Sequence, residues 1–174
     1  AKCVPDEKKI AECRQNDITI TDSEYKSPYL LHSKLGAFYA CTQYGINDTD
    51  ILGAITWHTT GHPDMTMLEK IVFVADYIEP YRNKAANLDE IRYLAFTNID
   101  DAILHILNDT INYLKENDKP IDGITLETYN FYKKYNKSNI TIEGNNKYHD
   151  KRYFKADGKN YRRSIKRKKR LWYK

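Results

Sequence analysis

The sequence predicts an all-α fold, and three observations support that prediction. Apolar residues recur at helical spacing through most of the first 137 residues, as in the stripe of Ile51, Ala54 and Ile55. Residues typical of helix ends separate these segments. Nothing alternates apolar and polar residues long enough to form a sheet, although residues 18–20 could form a short strand.

The predicted helices begin and end at residues typical of helix boundaries. Pro5 and Asp6 open the first helix, and Gly45 follows the second as a C-terminal glycine. Asp48 is placed to cap the third helix, and Pro80 ends the fourth. The predicted helices cover residues 7–14, 27–44, 51–58, 66–78, 88–96, 99–116 and 125–135.

The charge distribution divides the chain into two unlike parts. The chain has 174 residues, of which 41% are hydrophobic, so it can bury the core of one domain. Residues 1–137 contain 15 Lys and Arg against 21 Asp and Glu, whereas residues 138–174 contain 13 against 3. We therefore expect an acidic helical domain over residues 1–137 and a basic tail over residues 138–174.

The tail ends in a dense run of cations and aromatic residues at 161–174. Such runs are usually disordered and solvated, which is the expectation here. Contact with RNA or the ribosome is the main alternative, and binding to anionic lipid headgroups is a further one. The negative balance of residues 1–137 argues against a general nucleic-acid surface on the domain.

Composition also indicates where the protein works. No stretch approaches about 18 consecutive apolar residues, so no membrane span is predicted. The first residues lack the pattern of a signal peptide. Cys3, Cys13 and Cys41 are odd in number and lack metal-finger spacing, as is typical of a reducing cytoplasm.

Two ligand-type side chains fall on apolar faces of predicted helices. His58 continues the stripe of Ala54 and Ile55, and Asp76 lies one turn after Phe73 on the expected core face. A carboxylate in an apolar stripe is costly unless it is paired. A metal ion shared with His58 would pair it, and a hydrogen bond to His58 or a backbone amide in an ordinary core is the alternative.

A third residue, His32, favours a metal site over a hydrogen bond in an ordinary core. It shares a helix face with Gly36, which costs up to ~1 kcal/mol of helix stability relative to alanine and is expected where another group approaches closely. Three ligand-type side chains on successive apolar helix faces are typical of a metal site in a helical bundle. Imidazole and carboxylate together suit iron, manganese, cobalt or zinc better than magnesium.

Several short groups of residues together resemble one family. They are Leu30-Leu31-His32 with Gly36-Ala37, Ala54 to Gly61, Ala75 to Arg82, and Thr125 to Asn130. In this order and spacing, over residues 1–136, they resemble the bacterial HD-domain symmetrical diadenosine tetraphosphate hydrolases. The resemblance implies an HD-domain helical bundle, a dinuclear centre commonly of two iron ions, and cleavage of this dinucleoside polyphosphate to two ADP.

The resemblance assigns only part of a metal shell to this chain. His32, His58 and Asp76 correspond to family ligands. The family's other ligands, an earlier histidine and a His-Asp pair, precede an Ala-Lys pair that corresponds to Ala1-Lys2. We therefore expect an N-terminal segment to be missing and the chain alone to be inactive. A naturally short protein is the alternative.

The resemblance also implies a set of substrate-binding residues. Lys2 would contact a phosphate as a point charge, and Arg82 would bind phosphate oxygens bidentately. The loop at 119–124 would close over the nucleotide, although Asp122-Gly123 replaces the usual His-Pro and His62 replaces the usual arginine. For Lys2, Arg82 and His62, a solvated charged face is the alternative. The implied set is Lys2, His32, His58, Thr59, Thr60, Gly61, His62, Arg82, Lys119, Pro120, Ile121, Asp122, Gly123 and Ile124.

Three function classes stay open. The first is a dinucleoside polyphosphate hydrolase, in which metal ions neutralise phosphoryl oxygens and Lys2 and Arg82 stabilise the ADP leaving group. The second is an HD phosphohydrolase acting on another nucleotide, such as an alarmone or a nucleoside triphosphate. The third is a non-catalytic HD module with an RNA-binding tail. Whether the chain forms a homodimer is also left open.

Overall fold

A computed structural model of the chain describes residues 1–83, 85 and 87–142, with side chains up to residue 135. This part of the chain is helical and contains no strand, which confirms the predicted all-α fold. Its elements are α1 (Asp6–Gln15), α2 (Asp22–Lys26), a 3-10 helix (Pro28–Leu30), α3 (Leu31–Tyr44), α4 (Thr49–Trp57), α5 (Met67–Tyr77), α6 (Leu88–Thr97), α7 (Ile99–Glu116) and α8 (Gly123–Ile142). The basic run at 161–174 lies outside the described residues.

Side-chain caps fix where several helices begin. Thr21 with Glu24 at α2, and Thr66 with Glu69 at α5, form reciprocal capping boxes. Asp48 accepts hydrogen bonds from two amides in the first turn of α4, as its position in the sequence indicates. These caps satisfy amides that would otherwise lack partners at the helix ends.

The structure differs from the predicted elements at three places. The predicted helix at 27–44 begins as the separate 3-10 helix, and α3 itself starts only at Leu31. Residues 18–20 are not a strand, and the short α2 that follows them was not predicted. Helix α8 continues to Ile142, beyond the predicted end at residue 135.

The main core is formed by α5, α6, α7 and α8. The amphipathic α7 contributes the largest share, because its apolar stripe faces α5 and α6. The buried residues of this cluster are Met65, Phe73, Val74, Ile91, Ala102, Ile103, Ile106, Leu107 and Tyr132.

A second cluster lies where α1 packs on α3. Its buried residues are Cys13, Leu31 and Leu35. Helix α3 also packs on α4, and α4 packs on α5. Gly36 permits the α3–α4 contact, since a Cβ there would stand 3.2 Å from the Ile55 side chain. The close approach expected at Gly36 is therefore that of the neighbouring helix.

The compact unit that these helices build extends over Ala1–Ser138. None of the helices in the described part of the chain combines the length and apolar composition that a bilayer crossing needs. The start of the tail at residue 138 stays a prediction.

Candidate active site

Two predicted ligands, His32 and His58, are in direct contact. His32 lies in the first turn of α3, and His58 is the C-terminal cap of α4, directly after Trp57. Their Nε2 atoms are 3.0 Å apart, and the two rings meet edge to face with centroids 5.0 Å apart. The packing of α3 on α4 therefore brings together residues that are far apart in sequence.

The other nitrogen of each ring is bound to the backbone. Nδ1 of His32 donates to the Tyr29 carbonyl, and Nδ1 of His58 donates to the Ile55 carbonyl at 2.7 Å. Because a carbonyl only accepts, both protons lie on Nδ1, and both Nε2 atoms of neutral rings present lone pairs. Two facing lone pairs need a shared proton or a cation between them.

The surroundings of His32 disfavour the shared proton. Burial lowers the pKa of His32 below its ordinary value, and repulsion from His58, Lys2 and Lys9 lowers it further. The hydrogen bond to the Tyr29 carbonyl opposes these effects by raising the pKa. A neutral ring with its second nitrogen held by a carbonyl is also the usual state of a metal-binding histidine.

A cavity of about 780 Å³ opens beside His58. Besides His58, its wall includes six of the residues implied as substrate-binding or metal-binding, and α5 and α7 supply much of the rest. Those six are Thr59, Thr60, Asp76, Arg82, Pro120 and Asp122. The volume lies within the range of small-molecule sites.

Asp76 lies on the cavity wall rather than in the core, so its expected burial was wrong. Its side chain is 49% exposed, and Oδ2 stands 3.9 Å from the nearest Arg82 nitrogen. Asp76 belongs to the last turn of α5, where the helix leaves the core that Phe73 and Val74 pack into. No three His, Cys, Asp or Glu side chains in the described part of the chain stand together as a metal-ligand group.

Arg82 is held loosely at its guanidinium. One Nη atom lies 3.4 Å from the Asp76 carbonyl, and the group stacks over the Tyr77 ring at 4.9 Å. Its buried Nε has no hydrogen-bond partner among the described residues. The guanidinium therefore retains donors for an anion in the cavity.

The residues after His58 divide into two roles. Thr59 lines the cavity, and its buried Oγ1 has no partner within the described structure. Thr60 donates instead to the Gly61 carbonyl. Gly61 adopts φ +63°, and a Cβ there would lie 3.1 Å from the Thr128 side chain. The absence of a side chain at Gly61 therefore lets the turn after α4 pack closely on α8.

His62 does not belong to the residues that line the cavity. Its Nε2 lies 3.0 Å from Oε2 of Glu69, and its ring packs against Trp57. Glu69 is buried and also accepts a hydrogen bond from the Thr66 amide in the capping box of α5. The position of His62 therefore indicates a structural contact at the start of α5.

The loop at 119–124 is anchored at both ends. Asp122 is 6% exposed, and its carboxylate accepts hydrogen bonds from the Ile124 amide and the Thr21 hydroxyl, each at 3.0 Å. Lys119 donates to the Tyr113 hydroxyl. Lys119 and Ile121 line a separate open groove, and Gly123 begins α8.

Lys2 lies at the exposed surface, but its charge reaches His32 and contributes to lowering that residue's pKa. It is not among the residues lining the cavity. Thus the structure brings His32, His58 and Lys2 into one neighbourhood. His58, Thr59, Thr60, Asp76, Arg82, Pro120 and Asp122 share the cavity.

Sequence reasoning missed one wall of the cavity. Asp109, Thr110 and Tyr113 of α7 line it, as do Tyr29 and Tyr77. For the three residues of α7, the available signal was a position beside the apolar stripe of that helix, where the core face meets the polar face. That border is present in every amphipathic helix, so it does not by itself identify a site.

Two curated relatives of this chain carry the same description. No family model matches the chain. The chain is 46% identical over 101 residues to a protein of Halalkalibacterium halodurans named symmetrical bis(5'-nucleosyl)-tetraphosphatase, covering 58% of this chain and 54% of the relative. It is 41% identical over 105 residues to the Bacillus subtilis protein of that name, covering 60% and 56%. The chain thus spans about half the length of these relatives.

A solved structure is similar over more of the chain. It is the crystal structure of a protein of Clostridium acetobutylicum, described as a predicted HD superfamily hydrolase involved in NAD metabolism. The two chains superpose with a TM-score of 0.73 at 36% sequence identity. The similarity covers 77% of this chain and 70% of the other. The chain therefore belongs to the HD superfamily of hydrolases.

Proposed function

We propose that this protein hydrolyses diadenosine tetraphosphate symmetrically to two ADP at a divalent-metal centre that includes His32 and His58. The observation that carries the proposal is the contact between the two Nε2 atoms, each on a ring whose Nδ1 is committed to a carbonyl. The description shared by the two relatives from Halalkalibacterium halodurans and Bacillus subtilis supports the substrate and the symmetry of cleavage.

The two histidines fit a divalent cation. Histidine nitrogens bind such ions at ~2.0–2.1 Å, and two neighbouring ligand atoms of one ion therefore stand about 3 Å apart, as the two Nε2 atoms do. Membership of the HD superfamily implies a divalent metal cofactor, and we propose iron, with manganese, cobalt or zinc as alternatives.

Asp76 is the proposed carboxylate ligand, and it would have to turn from the cavity wall toward His58. Its half-exposed side chain is free of a short ion pair, since the nearest Arg82 nitrogen stands 3.9 Å away. When bound, the metal would neutralise phosphoryl oxygens and make water a nucleophile at neutral pH.

The cavity beside the histidines suits a polyphosphate. Arg82 and Thr59 both line it, and each carries a buried polar atom without a partner among the described residues, Nε and Oγ1 respectively. Arg82 can bind two phosphate oxygens at once and stabilise charge on the departing ADP. Lys2, which lies near His32, adds a further positive charge.

The same cavity offers surfaces for the nucleoside ends. Tyr29, Tyr77 and Tyr113 line it, and aromatic rings provide flat faces on which bases stack. Asp109 contributes a carboxylate that can accept hydrogen bonds from ribose hydroxyls or an amino group. A nucleotide substrate and three free cysteines support a cytoplasmic location.

A second role, contact with RNA or the ribosome, is proposed for residues 138–174 alone. Its support is their charge, with 13 Lys and Arg against 3 Asp and Glu.

Product analysis tests the proposed reaction. Diadenosine tetraphosphate is incubated with iron(II), manganese or cobalt and either the 174-residue chain or the full reading frame that encodes it. Nucleotides are then separated by anion-exchange chromatography. ADP as the single product supports the proposal, whereas equal AMP and ATP contradict it. No turnover by either protein with any of these metals would favour another nucleotide substrate.

Two histidine variants complete the test. His58→Gln removes one proposed ligand and should abolish turnover. His105→Gln changes a histidine of α7 that does not line the cavity, so it should leave turnover within about twofold. In the protein that turns over the substrate, activity of His58→Gln equal to that of an active His105→Gln would rule out His58 as part of the reaction centre.

A further inference from the structure

Arg92 binds three backbone carbonyls across the gap between α5 and α6. From α6, its Nε donates to the Ile78 carbonyl at 3.3 Å. One Nη atom donates to the Glu79 and Arg82 carbonyls, each at 3.1 Å. The side chain is partly buried, so these contacts are shielded from water more than ordinary surface bonds are.

The segment that Arg92 holds has little structure of its own. Ile78 is the C-terminal cap of α5, directly after Tyr77, and residues 79–83 are neither helix nor strand. Within the segment, the Arg82 amide bonds the Glu79 carbonyl, and the Tyr81 amide bonds the Glu79 side chain. Contacts from outside are therefore needed to fix where the Arg82 backbone lies.

The Arg82 side chain contrasts with its backbone. Its guanidinium has a long contact of 3.4 Å to the Asp76 carbonyl and an unpartnered Nε within the described structure. Its carbonyl, by contrast, is fixed from α6. A firm backbone with free guanidinium donors is the arrangement that an anion-binding arginine needs.

We propose that Arg92 is a positioning residue, which anchors the Arg82 backbone so that the guanidinium stays at the cavity wall. This inference rests on the proposed function, in which Arg82 binds phosphate. A cation near a helix C-terminus commonly stabilises the last carbonyls, and the bonds to Ile78 and Glu79 fit that role. The bond to the Arg82 carbonyl extends beyond the helix end and joins Arg92 to the proposed phosphate-binding residue.

The guanidinium shape is essential to this role. Its planar fork carries five donors in fixed directions, whereas a lysine ammonium is a compact point charge. Arg92→Lys keeps the charge but should not span three carbonyls. Misplacement of a substrate-positioning group by about 1 Å can cost up to ~10²-fold. We expect kcat/KM to fall roughly tenfold or more.

A double-mutant cycle separates positioning from general stability. Arg92→Lys is made in the wild-type chain and in Arg82→Lys, and kcat and KM for diadenosine tetraphosphate are measured for all four proteins. Positioning through Arg82 predicts that Arg92→Lys has little further effect once Arg82 is replaced. Losses that multiply in the double variant, or wild-type kinetics of Arg92→Lys, would overturn the proposal.

The matched control is Arg14→Lys on α1, where the arginine makes only a 3.4 Å bond to the Tyr25 hydroxyl and stacks on its ring. It should leave kcat/KM unchanged within about twofold. The control and the test variant then carry the same arginine-to-lysine change at two different places in the fold.

Hydrogen exchange gives a readout that does not depend on the reaction. Arg92→Lys should speed exchange of the amides of residues 79 and 81–83 while those of α7 keep their protection. Unchanged exchange at 79–83 would overturn the positioning role, whatever the substrate proves to be. Conversely, faster exchange in a protein that never cleaves diadenosine tetraphosphate would support Arg92 and refute the proposed function.

Discussion

Asp122→Ala tests how the cavity loop is held to the rest of the domain. The carboxylate of Asp122 accepts one hydrogen bond from the Ile124 amide at the start of α8 and one from the Thr21 hydroxyl. Alanine removes both acceptors from a position that is 6% exposed. The substitution therefore breaks a helix cap and a long-range tie at once.

The expected cost is about 2 kcal/mol of unfolding free energy. Loss of a helix N-terminal cap costs typically ~1 kcal/mol. Loss of a partly buried hydrogen bond costs about as much again. This is a large fraction of the ~5–15 kcal/mol by which domains of this size are stable.

Urea denaturation followed by circular dichroism measures this cost. We expect a lower midpoint with an unchanged m-value, because the denatured state should expose the same surface. Asp122→Asn, which keeps one oxygen acceptor, should lose less. Combined with Thr21→Ala in a double-mutant cycle, Asp122→Ala should reveal a coupling near ~1 kcal/mol.

A coupling near zero would show that the tie between Thr21 and Asp122 contributes nothing. A total cost below about 0.5 kcal/mol would refute the reasoning for the cap as well, since surface substitutions without a structural role fall within that range.

Three further predictions concern a glycine, the metal and the tail. Gly61→Ala should destabilise the protein more than Gly45→Ala in thermal denaturation, because both residues have positive φ but only a Cβ at Gly61 meets another side chain within 4 Å; equal costs would contradict the contact with Thr128. Chelation by EDTA should lower the Tm of the metal-loaded protein by roughly 5 °C and leave the Tm of His58→Gln unchanged; equal shifts would place the metal elsewhere. Deletion of residues 143–174, beyond the end of α8, should leave hydrolysis unchanged and remove a salt-sensitive affinity for RNA; loss of hydrolysis would mean that the tail supports the domain.

The fold was largely predictable because its signals are local. The stripe of α7 and the boundaries at Gly45 and Asp48 depend on residues within one or two turns, and the structure retains them. The short α2 was missed although Thr21 and Glu24 form a capping box, because five residues carry too little apolar periodicity to be recognised.

The site was predictable only in part, because its contacts are between distant segments. His32 and His58 were expected to lie together from their apolar faces, and they are in contact. Asp76 was expected on a core face, but helical spacing does not show where a helix leaves the core. The tie between Thr21 and Asp122 joins residues 101 positions apart and has no local signal.

Anomalous diffraction from crystals grown with manganese or iron(II) tests most directly whether His32 and His58 form a metal site. Data collected at the absorption edge of the metal locate the ion without reference to the hydrolysis reaction. We predict a peak within bonding distance, ~2.1 Å, of Nε2 of both histidines, with each Nδ1 still bound to its carbonyl. Crystals that show no peak there, with the two rings hydrogen-bonded directly to each other, would contradict the metal centre and the reaction proposed for it.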